Sequence, residues 1–199
     1  RLFVSTDSGA IHCLGEQVVQ GSPRKVTEAA SPVVLGQTDT AAAEEIRLRS
    51  GINVGWCLIY GARDGKLAQA LAAQTKLNIV IIEQDAARLE AIRRDLLLAG
   101  LYGSRVIAAD WDAAELPDYF ANLIVSGRVQ HGDDVQLPVS QLARVLRPAG
   151  GVLLLGSVAN WPKENVANVV DGLKANVKSS HDVSLEHGWL KFTRGKLDG

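Results

Sequence analysis

The spacing of hydrophobic positions changes abruptly at Gly61, and this change predicts a strand followed by a helix. Residues 57–60 form an unbroken apolar run, which is typical of a strand buried on both faces in a parallel sheet. From Gly65 the apolar positions recur at helical spacing. A second run rich in β-branched residues, 79–82, then ends at Glu83. The pattern predicts a strand–helix–strand unit, and we expect its crossover to be right-handed.

Two helices near the centre of the chain are predicted to be amphipathic. The first begins after Gly65, and its outer side is expected to carry Lys66, Gln69 and Gln74. The second spans residues 86–99 and ends at Gly100. Its charged residues are expected to form a solvated face: Arg88, Glu90, Arg93, Arg94 and Asp95.

The remaining periodic segments continue the alternation of strands and helices. Further strands are predicted at residues 105–109, 122–125 and 152–155, and helices at 41–49, 135–146 and 164–174, the last interrupted by Gly172. Residues 182–185 and 189–193 predict a hairpin, and residues 195–199 an exit linker. This order predicts an α/β fold, a doubly wound parallel sheet with an antiparallel addition.

The first 37 residues have a different pattern. Two short apolar segments, residues 2–4 and 10–14, flank Thr6-Asp7-Ser8-Gly9, which has the composition of a hairpin turn. Residues 15–37 show little periodicity and predict a linker. The hairpin resembles a fragment of one blade of a pyrroloquinoline-quinone-type β-propeller; the alternative is a hairpin that decorates the main domain. We therefore predict a propeller-like hairpin with its linker at residues 1–37 and an α/β domain at residues 38–199.

Composition narrows the possible functions. The chain has 199 residues, 47% of them hydrophobic, which is enough for one substantial core. Its 21 basic and 22 acidic residues nearly cancel, so nothing indicates a nucleic-acid or lipid-headgroup surface. No apolar run approaches the roughly 20 residues that cross a bilayer. The two cysteines lack metal-ligand partners at useful spacing, so no metal site is predicted. Because the chain starts at Arg1 and contains no methionine, we expect it to be part of a longer protein.

The turn inside the central unit suits a ligand that contains a nucleoside. Glycine lets a ligand approach the backbone closely because it has no Cβ atom, and the free N–H groups at a helix start favour a negative group. A carboxylate such as Glu83, at the end of the next strand, can accept hydrogen bonds from both hydroxyls of a ribose. The alternative is a tight turn in an α/β protein that binds nothing, since a glycine turn alone is weak evidence.

An ordered set of motifs over residues 40–194 resembles the class I S-adenosylmethionine-dependent methyltransferases. Residues 61–65 are similar to the glycine turn around the methionine part of the cofactor, and residues 146–151 to the turn before the fifth strand. The resemblance implies a seven-stranded, mostly parallel Rossmann-like sheet with a C-terminal antiparallel hairpin, and S-adenosylmethionine as the cofactor. It also implies that Glu83 binds the ribose, Asp110 reads the adenine amino group and Trp111 packs on the adenine ring. The alternatives are a helix cap or a solvated carboxylate for Glu83, an acidic surface turn for Asp110 with Asp112, and core packing for Trp111. The implied cofactor-binding residues are Gly61, Ala62, Arg63, Gly65, Glu83, Gln84, Asp110, Trp111 and Ser126.

The chain departs from that family at two places. Arg63 stands where the family has its middle glycine, so its side chain must point away, displace the cofactor or contact the cofactor's carboxylate. Residues 126–131 replace the proline-containing segment of several subgroups; His131 is either a surface histidine or a base, and no catalytic residue is predicted. Methyl transfer to an unidentified acceptor is the first hypothesis. The alternative is a non-catalytic interaction module, inserted in a larger bacterial propeller protein and in contact with the remainder of that chain.

A nicotinamide-dependent oxidoreductase ranks last among the hypotheses. Its Gly-x-Gly-x-x-Gly motif needs glycine where Lys66 stands. Use of S-adenosylmethionine would imply a cytoplasmic location, whereas the residues themselves assign no compartment.

Overall fold

The computed structural model describes the backbone of residues 2–5, 11–14, 35–127, 137–177 and 179–197, with side chains from residue 35 onward. The elements in these ranges follow the predicted alternation. The strands are β1 Leu2–Ser5, β2 Ile11–Leu14, β3 Val54–Tyr60, β4 Lys76–Ile82, β5 Val106–Ala109, β6 Leu123–Val125, β7 Gly151–Leu155, β8 Ser179–Glu186 and β9 Trp189–Leu197. The helices are α1 Gln37–Ser50, α2 Lys66–Gln74, α3 Ala86–Leu98, α4 Val139–Val145 and α5 Lys163–Asn176.

Seven of these strands form one sheet, in the order β5-β4-β3-β6-β7-β9-β8. The first five are parallel, and β9 lies antiparallel to both β7 and β8. The doubly wound sheet with its C-terminal antiparallel hairpin is thus confirmed. Strands β3 and β4 begin at Val54 and Lys76, earlier than their apolar runs, because these first residues already pair with each other in the sheet.

Helices cover both faces of the sheet, and alternate residues of each strand enter one of two hydrophobic clusters. Ile59 lies in the cluster that includes side chains of α1, α2 and α3. Leu58, on the opposite face, lies in the cluster that includes side chains of α4 and α5. A central strand buried on both sides has no polar alternation, which explains the continuous apolar run of β3.

The hairpin between β8 and β9 has a two-residue turn. Glu186 pairs with Trp189, so His187 and Gly188 alone connect the strands. Both have positive φ, 51° and 78°, as a type I′ turn requires. Strand β9 continues through Leu197, so the predicted exit linker from residue 195 is wrong. Leu197 still pairs with Ser179, and the Gly195 carbonyl accepts the Ala149 N–H at 2.7 Å, because the sheet extends beyond the apolar part of the strand.

Helix α5 runs continuously through Gly172, so the predicted interruption is also wrong. The glycine lies where α5 contacts α4: a Cβ atom at Gly172 would be 2.9 Å from Cγ1 of Val139. The residue therefore permits a close helix–helix contact and does not end the helix.

The N-terminal hairpin is confirmed as a separate two-stranded sheet. Strands β1 and β2 pair antiparallel, with Leu2 opposite Leu14 and Ser5 opposite Ile11. The predicted turn at residues 6–9 and most of the linker, residues 15–34, lie outside the described residues. The helix predicted from residue 135 begins only at Val139, because Pro138 holds the N-cap position; residues 135–136 lie outside the described residues.

Candidate functional site

Four loops meet at the edge of the sheet where β3, β4, β5 and β6 end. The first residues after these strands are Gly61, Glu83, Asp110 and Ser126. The strand order reverses beside β3, since β4 and β5 lie on one side of it and β6 and β7 on the other. In doubly wound sheets such a reversal opens a crevice at the carboxyl ends of the strands, where ligands bind. The structure thus brings together four of the predicted site residues.

The turn between β3 and α2 is tight and packs closely against the loop after β6. Gly61 has a positive φ of 67°, a conformation that side chains rarely adopt, and its N–H donates to the Ile82 carbonyl at 2.9 Å. A Cβ atom at Gly127 would be 3.1 Å from the Gly61 carbonyl oxygen. Asp64 accepts a hydrogen bond from the Lys66 N–H at 3.0 Å, which satisfies one donor at the start of α2. Arg63 is exposed on this turn.

The Glu83 carboxylate connects two of the loops. Its side chain is buried, with 5% of the residue exposed. Oε2 accepts a hydrogen bond from the Ala62 N–H at 3.1 Å, and Oε1 accepts one from the Asp85 N–H at 2.9 Å. Two carboxylate oxygens offer about four acceptor positions, so hydrogen-bonding capacity remains for a ligand. The residue therefore both organises the glycine turn and keeps acceptors beside it.

Arg88 lies next to this carboxylate, contrary to the predicted solvated face of α3. Its Nη1 is 3.6 Å from Glu83 Oε1, and its Nη2 is 3.8 Å from Asp85 Oδ2. Asp85 caps α3 by accepting the Arg88 N–H at 2.8 Å. The prediction failed because helical spacing shows which side of α3 a residue occupies, but not that Glu83 lies beside the first turn.

Gln84 holds the loop that follows β5. Its Nε2 donates to the Trp111 carbonyl at 3.0 Å and to the Asp110 carbonyl at 3.4 Å. The side chains of Asp110 and Trp111 are exposed. Because 43% of Trp111 is exposed, its ring is not packed in the core. Asp112 caps the following single 3₁₀ turn, Ala113–Glu115, by accepting the Ala114 N–H at 2.9 Å.

Arg144 of α4 fixes the other end of the same loop. Its guanidinium donates to the carbonyls of Leu116 at 2.7 Å and of Ala113 and Ala114 at 3.0 Å each, and it forms an ion pair with Asp118. These contacts anchor the loop to the core at the end away from Gln84, so Asp110 and Trp111 are presented on a supported segment.

Tyr60 is a site residue that the sequence analysis did not single out. It is the last residue of β3, is half-buried, and pairs with Ile82, which precedes Glu83. Burial, followed by the negative charges of Asp112 and Glu83, raises the pKa of the Tyr60 phenol above its usual value of 10.0. The phenol thus stays a neutral hydrogen-bond donor beside two carboxylates. The sequence signal for Tyr60 was its phenol hydroxyl at the end of an otherwise apolar run.

Gln69 is buried, which corrects its predicted place on the polar face of α2. Only 5% of the residue is exposed, and its Nε2 has no hydrogen-bond partner. A Cβ atom at Gly65 would be 3.5 Å from this Nε2 atom and also 3.5 Å from Cγ of Leu96. A side of α2 that periodicity alone assigns to solvent is therefore buried near the Leu96 side chain of α3.

Several candidates take no part in the described site. His131 lies outside the described residues. His181 stacks on Phe192 in the terminal hairpin, with ring centroids 5.4 Å apart. Across the described ranges, no group of three histidine, cysteine, aspartate or glutamate side chains is arranged to hold a metal ion. None of the described helices has the length and apolar character needed to cross a bilayer.

The chain is similar in structure to known methyltransferases. A proposed S-adenosyl-L-methionine-dependent methyltransferase of Methanococcus maripaludis superposes with a TM-score of 0.66 at 24% identity, over 83% of this chain and 88% of that one. A phosphoethanolamine N-methyltransferase of Haemonchus contortus, solved with phosphomonomethylethanolamine and S-adenosylhomocysteine, gives 0.52 at 19% identity, over 72% and 38%. No protein-family profile and no curated protein matches the sequence.

The same fold also occurs in a protein with a different name and reaction. The cyclase SpnF superposes with a TM-score of 0.56 at 13% identity, over 80% of this chain and 82% of that one. The chain therefore has the fold of the S-adenosylmethionine-dependent methyltransferases, as the sequence predicted. Its activity has to be argued from the site.

Proposed function

We propose that the chain binds S-adenosylmethionine and transfers its methyl group to an acceptor. The observation that carries this proposal is the position of the Glu83 carboxylate, at the end of β4 and hydrogen-bonded to the glycine turn after β3. Two acceptor oxygens at the switch point of a doubly wound sheet suit a ribose diol. The fold shared with known methyltransferases supports the same cofactor.

The residues around the crevice suit the other parts of the cofactor. Gly61, Ala62 and Gly65 would receive the methionine part against the backbone, and the charge of exposed Arg63 would suit its carboxylate. Asp110 and Trp111 would receive the adenine, the first through its oxygens and the second through its ring face. Gln84 would act through the loop, because its amide already bonds the carbonyls of Asp110 and Trp111.

The protein's contribution to the reaction would be mainly positioning. S-adenosylmethionine supplies a methyl group that is activated by its bond to a sulfonium sulfur. When an acceptor nucleophile takes the methyl group, the C–S bond breaks and the sulfur is left as a neutral thioether. Ser126, buried directly after β6, would lie where the acceptor approaches. Holding two reactants in line can account for about 7–11 kcal/mol of barrier lowering. We therefore assign no general base.

Titration calorimetry with S-adenosylhomocysteine tests the proposal. We expect the chain to bind it, and Glu83→Gln to weaken binding about 10- to 100-fold, since a hydrogen bond to a charged group contributes about 1.5–3 kcal/mol. Glu90→Gln is the matched control, because Glu90 is exposed on the neighbouring helix α3. Thermal unfolding of each variant shows whether it still folds. A folded Glu83→Gln protein would show that the two loop hydrogen bonds of the Glu83 carboxylate are not needed for folding.

Absence of heat at about millimolar ligand would reject the cofactor and favour the non-catalytic module. The propeller setting stays a prediction: the pairing of β1 with β2 shows a hairpin and no more, and none of the three proteins compared above is described as a propeller. A cytoplasmic location likewise stays a prediction, which follows from use of the cofactor.

A further inference from the structure

Arg88 occupies an unusual place for an arginine. It lies in the first turn of α3, where the positive end of the helix dipole disfavours a cation. Its side chain is only one-third exposed, at 33%, and its guanidinium lies between the buried Glu83 carboxylate and the cap residue Asp85. Among the described residues, Arg88 is the cation that lies within ion-pair distance of Glu83.

We propose that Arg88 is a positioning residue that keeps the Glu83 carboxylate oriented for a ribose diol. The inference rests on the proposed cofactor and deepens it. A buried carboxylate needs a compensating charge, and Arg88 supplies one. Without it, Glu83 would rely on the N–H groups of Ala62 and Asp85 alone.

The distance between the two groups explains how Arg88 can compensate charge without occupying the acceptors. At 3.6 Å, Nη1 is near enough to Oε1 for electrostatic attraction but longer than a normal hydrogen bond of about 2.7–3.2 Å. Each Glu83 oxygen therefore receives one backbone N–H and keeps acceptor capacity. Two hydroxyl donors of a ribose match that remaining capacity.

A purely structural role makes a different prediction. If Arg88 mainly stabilised α3, its removal would lower stability and affect every ligand equally. Glu83 keeps its two backbone N–H donors in the variant, and removing Arg88 relieves an unfavourable position at the helix dipole, so we expect thermal stability to fall only modestly. The main loss should instead be in the affinity for ligands that carry the ribose hydroxyls.

The test compares Arg88→Gln and Arg88→Lys in calorimetric titrations with S-adenosylhomocysteine and with its 2′,3′-dideoxy analogue. We expect Arg88→Gln to weaken binding of the first ligand about tenfold and to leave the second unchanged. Arg88→Lys, which retains the charge, should recover most of the affinity. Arg94→Gln is the matched control on the exposed side of α3 and should bind both ligands like the wild type.

Three results would overturn the inference while leaving the proposed function intact: unchanged affinity of Arg88→Gln, an equal loss for both ligands, or failure of Arg88→Gln to fold. Failure of the wild type to bind S-adenosylhomocysteine is the separate result that rejects the proposed function, and the inference with it.

Discussion

Cys57 shows how a single buried group makes stability depend on pH. Its thiol lies in the centre of β3 and has no exposed surface. Burial disfavours the thiolate and raises the pKa of Cys57 far above its usual value of 9.0. The folded thiol therefore keeps its proton in alkaline solution, while the unfolded thiol loses it. The protonated Cys57 thiol therefore contributes stability that is fully present below pH 9.0, the usual pKa of the unfolded thiol. This contribution is lost as the pH rises above that value.

We predict that the free energy of unfolding falls by about 2 kcal/mol through Cys57 between about pH 8 and about pH 10.5, because a one-proton difference is worth 1.36 kcal/mol per pH unit. Cys57→Val, which replaces the thiol with a somewhat larger apolar side chain, should remove this part of the decline and cost about 1–3 kcal/mol at the lower pH. Urea unfolding under reducing conditions measures both.

The comparison isolates the thiol because Cys13 and Tyr60 are present in both proteins. Tyr60, whose pKa is also raised, adds to the alkaline decline of each in the same direction. Parallel pH curves for wild type and Cys57→Val would show that the thiol does not titrate as its burial requires.

At the level of elements, the contact between α4 and α5 depends on the missing side chain of Gly172. Alanine in place of glycine usually stabilises a helix by about 1 kcal/mol. Here its Cβ atom would be 2.9 Å from Val139 Cγ1, and a β-branched side chain has little freedom to move away.

We predict that Gly172→Ala destabilises the protein by about 1 kcal/mol, since overpacking costs about 1–3 kcal/mol and exceeds the gain in helix propensity. In a Val139→Ala background the same substitution should stabilise, because the obstructing methyl groups are gone. Unfolding midpoints of the four proteins in this cycle give the coupling. The same sign in both backgrounds would contradict the contact.

For the whole molecule, the strands that the structure describes divide into two sheets. Strands β1 and β2 pair with each other and not with the seven-stranded sheet. The described side chains start at Leu35, and Leu35 already packs against the main core. The boundary between residues 37 and 38 stays a prediction.

We predict that a chain beginning at Leu35 unfolds cooperatively, with the urea midpoint and m-value of the full chain, because m follows the surface exposed on unfolding. Circular dichroism during urea unfolding measures both. A markedly lower midpoint would show that the N-terminal segment contributes to the main core.

The order of elements was predictable from sequence because buried strands and amphipathic helices have local patterns. The run at residues 57–60 and the helix stop at Gly100, whose φ is 69°, needed no knowledge of distant residues. Gln69, Arg88 and Gly172 were misassigned for one reason: each is defined by a neighbour from another element. Periodicity shows which side of a helix a residue occupies, but not what packs there.

Strand β8 ends the large sheet, and among the described residues no further strand pairs with its outer backbone groups. Such a margin is a template on which another chain can add, the first step of aggregation. A bulge between Ser179 and His181 interrupts its regular ladder, and the exposed carboxylates of Asp182 and Glu186 place like charges along it. A second copy approaching edge to edge would meet a bent strand and electrostatic repulsion. The edge strand β8 therefore disfavours edge-to-edge aggregation.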